Sequence, residues 1–169
     1  MGHIYYNVPM IEQGDNPICW IACAAMITSF KTKTLHSISE FTGGSDPSNS
    51  CIPDPNKGWN DLYTNLSKFG FTADGSNVSI GPGYIENMLR RHGPFMIFVN
   101  AADFPFYGPF CINVGGTHAV VVSGVDTSPG KVMIVNPWGT KTPPADADII
   151  VKLMQDITDQ NLSPAAYME

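Results

Sequence analysis

From Cys19 to Ile27 the chain reads CWIACAAMI, apolar on every face of a helix, and the pattern predicts a central helix from about Pro17 to Phe30 that packs on several sides. Asn16 suits its N-cap and Pro17 its first position. Two later stretches are one-sided instead. WNDLYTNLSKFG sets Trp59, Leu62, Tyr63 and Leu66 at helical spacing before the cap Gly70, and GPGYIENMLRRHG does the same with Tyr84, Ile85, Met88 and Leu89 before Gly93. The segment between them and the central helix, Thr42 to Gly58, is rich in Gly, Pro, Ser and Asp without periodicity and reads as loop.

After Pro94 the period changes. FMIFV, HAVVVSGV and KVMIV are short β-branched or aromatic runs bounded by turn formers, which makes them strands. DTSPG, Asp126 to Gly130, is short enough to join the last two as a hairpin, so the second half reads as a mostly antiparallel sheet. DADIIVKLMQDITDQ fits a helix or a strand and is read here as a helix. Helices followed by strands give an α+β order, and no internal repeat interrupts it.

The 169 residues are 43% hydrophobic, enough for one domain over residues 1–169 to bury a core without disulfides. The longest apolar runs fall far short of the roughly 20 residues that cross a bilayer. The N-terminus lacks the basic stretch and apolar core of a secretory signal, so the expectation is a cytoplasmic chain with no membrane partner. A formal net charge of -6 argues against nucleic acid, since counterion release needs clustered Lys and Arg. The one basic cluster, Arg90 to His92, reads as a solvated helix end. Four cysteines are too scattered for a disulfide scaffold, although a Cys51–Cys111 bridge stays open. Cys19 and Cys23 have three residues between them and lie far from His118 in sequence, which is not a zinc spacing, and no metal is expected.

The placement of Cys19 is what suggests chemistry. Backbone amides and the positive end of the dipole at a helix start favour thiolate over thiol. A catalytic thiolate also needs a base, a group that orients the base, and donors for the oxyanion. His118 opens a strand after VGGT; Asn136 ends the adjoining strand; Gln13 lies on the segment feeding the helix, where its amide and the Cys19 backbone N–H can form an oxyanion pocket. Cys23, one turn further in, reads as core, and His3, His36 and His92 as background. Each of the four has an ordinary structural explanation taken singly. Their order and placement together point to a nucleophilic site.

That order, Gln, Cys, His, Asn, resembles a papain-like cysteine peptidase. QGDNPICW matches the papain spacing of Gln to Cys-Trp, and VNPWG resembles the segment in which an asparagine orients the histidine and an indole shields it. VPMIEQGDNPICWIACAAMI, GPFMIFVN and THAVVVSGVD look most like the compact bacterial group that includes the AvrRpt2-type effector peptidases. Bacteriocin-processing peptidases are similar in layout, but there glycine follows the nucleophile, where this chain has Trp20. The resemblance covers about Val8 to Trp138. It implies a two-lobed papain-like fold: an N-terminal helical lobe with the Cys19 helix, a C-terminal antiparallel β-sheet lobe with His118 and Asn136, and a peptide cleft between them lined by Trp20, Gly116, Thr117 and Trp138. It further implies a cysteine endopeptidase with no cofactor, acting on specific proteins as a bacterial effector or interbacterial toxin delivered into the cytosol of a target cell. The domain then belongs at the C-terminal end of a longer polypeptide, and a cognate immunity protein would occlude the cleft. The same site also fits an acyltransferase or deamidase, and the same fold an inactive binding module.

Overall fold

The computed structural model describes residues 2–14, 18–42, 55–75, 78–104, 117–139 and 142–169. In chain order these form β1 (His3–Tyr5), α1 (Cys19–Thr32), α2 (Ser39–Thr42), α3 (Pro55–Lys68), β2 (Phe71–Ala73), α4 (Pro82–His92) and β3 (Phe95–Asn100). A short 3-10 turn (Ala101–Asp103) follows, then β4 (Thr117–Asp126), β5 (Lys131–Val135), β6 (Ala145–Asp146), α5 (Ala147–Thr158) and β7 (Ala165–Met168). Among the described residues no helix is long and apolar enough to cross a membrane.

The strands make one antiparallel sheet in the order β2-β7-β3-β4-β5-β6, with β1 also paired to β4. Side chains of a strand alternate between its two faces, so each run of apolar residues serves two cores. Met96, Phe98, Ala119 and Val121 face one core with α1, Phe41 of α2, and Trp59, Leu62 and Leu66 of α3. Phe95, Ile97, Val99, Val120 and Val122 face the other with Ile85, Met88 and Leu89 of α4 and Ile150, Leu153 and Met154 of α5. Three layers result, helices on both sides of a sheet buried on both faces, which is why β3 and β4 read as continuous apolar runs.

The α+β class and the antiparallel β4–β5 pair are as expected, and α5 is the helix chosen for the C-terminal segment. Several boundaries differ. α1 begins at Cys19 with Ile18 as its cap residue, not at Pro17 with an Asn16 cap; Asn16 and Pro17 themselves lie outside the described residues. The Ile18 carbonyl accepts the first helical bond, from the Ala22 N–H at 3.1 Å, and this makes Cys19 the first helical residue. α3 starts at Pro55, a good first-turn residue, so the end of the assumed Thr42–Gly58 loop is helix. His92 is not solvated with its neighbours Arg90 and Arg91: it stacks on Tyr167 at 3.8 Å, because β7 inserts beside it. The strand β7 itself, and β1 and β2, are too short and too weakly patterned to stand out in the sequence.

Candidate active site

β4 opens with Thr117 opposite Asn100 and His118 opposite Val99 of β3. On its other side β4 pairs with β5, Val121 against Val135, so the next step of the register sets Asn136 against Val120. Val120 and His118 are two residues apart and share a face, which makes His118 and Asn136 diagonal neighbours. They meet at 3.1 Å, His118 Nε2 to Asn136 Oδ1, with both side chains fully buried.

A second donor fixes the chemistry of that contact. The backbone N–H of Trp138 also donates to Asn136 Oδ1, at 3.2 Å. A backbone N–H can only donate, so the atom it meets is the amide oxygen, and His118 Nε2 must then carry the proton. In the neutral ring Nδ1 is therefore the basic nitrogen. It is buried and has no hydrogen-bond partner, so His118 is not hydrogen-bonded to the Cys19 sulfur in this structure.

Aromatic rings hold the imidazole in place. The Trp138 indole is stacked on it, 4.0 Å between centroids and 14° from parallel, and Phe104 approaches it at 5.6 Å, tilted by 58°. Phe104 escapes the sequence reading. It is set by the 3-10 turn that ends β3, where Asn100 Oδ1 accepts from the Ala102 N–H at 3.2 Å and the Phe104 N–H donates to the Ala101 carbonyl at 3.3 Å. The usable signal is the NAAD capping pattern at a strand end, which aims the next side chain back at the sheet.

Gln13 is buried, and its backbone N–H donates to the Pro137 carbonyl at 2.8 Å. This bond ties the segment before α1 to the turn after β5. Gln13 lies six positions before Cys19, so the start of α1 is within about 20 Å of that turn. Cys19 and Ala119 lie in one core, whereas His118 shares the opposite face of β4 with Val120 and Val122. Cys23 is fully buried, and burial pushes its thiol well above the ordinary range, which suits packing and not nucleophilic attack.

Of the residues expected to line a cleft, Trp138 is half-buried on His118, Thr117 is half-buried at the first position of β4, and Trp20 is buried in the α1 core. Gly116, Cys51 and Cys111 lie outside the described residues. A groove of about 500 Å³ lined by Tyr5, Tyr6, Phe30, Lys33 and Leu35 is at the far end of α1 and includes none of the site residues. Among the described residues no group of His, Cys, Asp and Glu is placed to hold a metal ion.

A helix-initial cysteine beside a sheet whose first residues carry an asparagine-oriented histidine under an indole is the layout of a papain-like cysteine peptidase. The family described as papain-like cysteine protease AvrRpt2 matches residues 2–144, and the chain belongs to it. It is accordingly a cysteine protease, a hydrolase of the papain-like class. Among solved structures, a protein described as a C39-like peptidase from Bacillus anthracis is 15% identical over 100% of this chain and 98% of that one, with a TM-score of 0.66. A double glycine motif protease from an AMS/PCAT transporter, solved with the leader peptide, is 17% identical over 99% and 96%, with a TM-score of 0.51. At such identities the likeness is one of fold. No curated protein matches the chain in sequence.

Proposed function

We propose that this protease is an endopeptidase in which Cys19 is the nucleophile, His118 the base and then the acid, Asn136 the orienting amide, and Gln13 with the Cys19 backbone N–H the oxyanion donors. The observation that carries the reading is the fixed tautomer of His118. With Nε2–H held by Asn136, the lone pair on Nδ1 is the one available to take the thiol proton. The helix start at Cys19 favours the resulting thiolate. Thiolate attack on a peptide carbonyl gives a tetrahedral oxyanion; its collapse passes the Nδ1 proton to the leaving amine and leaves a thioester. A water molecule that gives a proton to the same nitrogen then hydrolyses the thioester and restores the thiol.

The resemblance to AvrRpt2-type effector peptidases supports a biological role: cutting one or a few proteins in the cytosol of a target cell, as a delivered bacterial effector or interbacterial toxin. A producer of such a toxin would need an immunity protein, and the simplest one covers the site. The test is a map of new protein N-termini in cells expressing the wild type or Cys19→Ala. A small set of new termini should appear with the wild type and vanish with Cys19→Ala and with His118→Ala, both still folded. Termini retained in either variant would overturn the role assignment, and targets that change mass without new termini would replace peptide cleavage with acyl transfer or deamidation.

A further inference from the structure

Glu12 adjoins Gln13, and the Gln13–Pro137 bond lays this segment along the turn from Asn136 to Gly139, which closes with the Gly139 N–H on the Asn136 carbonyl at 3.1 Å. Gly139 has φ +77, and the space where a side chain on it would stand is filled by the Glu12 carboxyl group. The carboxylate is exposed, and it forms no hydrogen bond or ion pair with any described residue. A charge so placed rests on an apolar Cα with no cation paired to it among the described residues. One residue back along the turn, Trp138 is stacked on His118.

We propose that Glu12 is a subsite for a cationic side chain, lysine or arginine, on the leaving-group side of the scissile bond. The inference rests on the proposed function, in which His118 hands its proton to the leaving amine. That half of a substrate must pass over His118 and hence over its cover, Trp138, and a long cationic side chain running past the indole meets the carboxylate beyond it. Docking a peptide there removes water from Glu12 and strengthens the attraction.

The experiment uses a peptide library made from a bacterial lysate with chymotrypsin, cut by the wild type, Glu12→Gln and Glu12→Arg. The wild type should enrich Lys and Arg within the first two positions after the cut. From its best-cut sequence, a matched pair of peptides carrying Lys or Gln at that position gives a ratio of kcat/KM within each enzyme. The Lys/Gln ratio should fall about fivefold in Glu12→Gln, the size of an ion pair at an exposed site, invert in Glu12→Arg, and shrink for the wild type at high salt. A ratio equal in all three enzymes would overturn the subsite while leaving the protease reading intact, because the wild type still cuts and Cys19→Ala does not. A wild type that cuts no peptide overturns the proposed function, and the subsite with it.

Discussion

One oxygen of Asn136 serves two donors, the imidazole and the backbone of Trp138, so the same atom sets the proton on His118 and the course of the chain that covers it. Truncation at this position leaves a buried N–H on the ring without its acceptor and lets the imidazole rotate or change tautomer. Asn136→Ala should lower kcat on a peptide substrate by about 10- to 100-fold with a smaller effect on KM, less than the roughly 10⁴-fold that loss of the orienting acid causes in serine proteases. An unchanged kcat would show that the ring is held by its aromatic neighbours alone. The pair was legible in the sequence because a hairpin register is simple arithmetic: a strand that opens with His118 and a strand that ends before Asn136 meet at their ends. Phe104 and Glu12 were not, since each reaches the site through a turn whose direction depends on tertiary contacts, the 3-10 turn after β3 and the Gly139 turn after β5.

At the scale of elements, the long apolar helix and the three β-branched strands declared themselves by period, and α4 by its Pro start and Gly93 stop. What the period cannot express is an insertion. β4 pairs Val122 with Ile134 but Gly124 with Met133, so Ser123 is an extra residue, and the faces exchange there: Val125, not Gly124, continues into the core of Val120 and Val122. Ser123 accepts the Tyr6 N–H at 2.8 Å, and Gly124 lies opposite Tyr5 of β1. A methyl group on Gly124 would stand 2.5 Å from the Ile4 carbonyl oxygen, a contact that only movement of β1 relieves. Gly124→Ala should therefore cost about 1–3 kcal/mol in urea unfolding, the usual range for overpacking. It should also loosen the segment that carries Gln13 from β1 towards the site. A stability equal to the wild type would mean that β1 yields freely and does not anchor that segment.

For the whole molecule, one buried acid and two half-buried ones share one sign of perturbation. Burial raises the Cys23 thiol and the Tyr63 hydroxyl, and it raises the Tyr84 hydroxyl together with the Asp74 carboxylate that Tyr84 bonds at 2.6 Å. A group whose pKa is higher folded than unfolded contributes its stability below the unfolded value and loses it as pH rises towards the folded one. The unfolded values are about 8.5 for a thiol and about 10 for a phenol. The denaturation midpoint should hold below about pH 8.5 and fall progressively above it, less steeply in Tyr84→Phe, a flat profile to pH 11 being the contrary result. Cys23 in α1 and Tyr63 in α3 lie on one side of the sheet and Tyr84 in α4 on the other, so the alkaline loss reports on both helical layers.

The strand β7 gives the molecule its order of construction. Its residues Ala165 and Ala166 sit between β3 and β2, yet they are translated after every other strand. Until they leave the ribosome, β2 has no place beside β3 and the sheet keeps a raw edge at its middle. The ring stack of Tyr167 on His92 waits for the same moment. A protease built this way has the strand that carries His118 synthesised well before the seam, and its sheet closes only once β7 has been made.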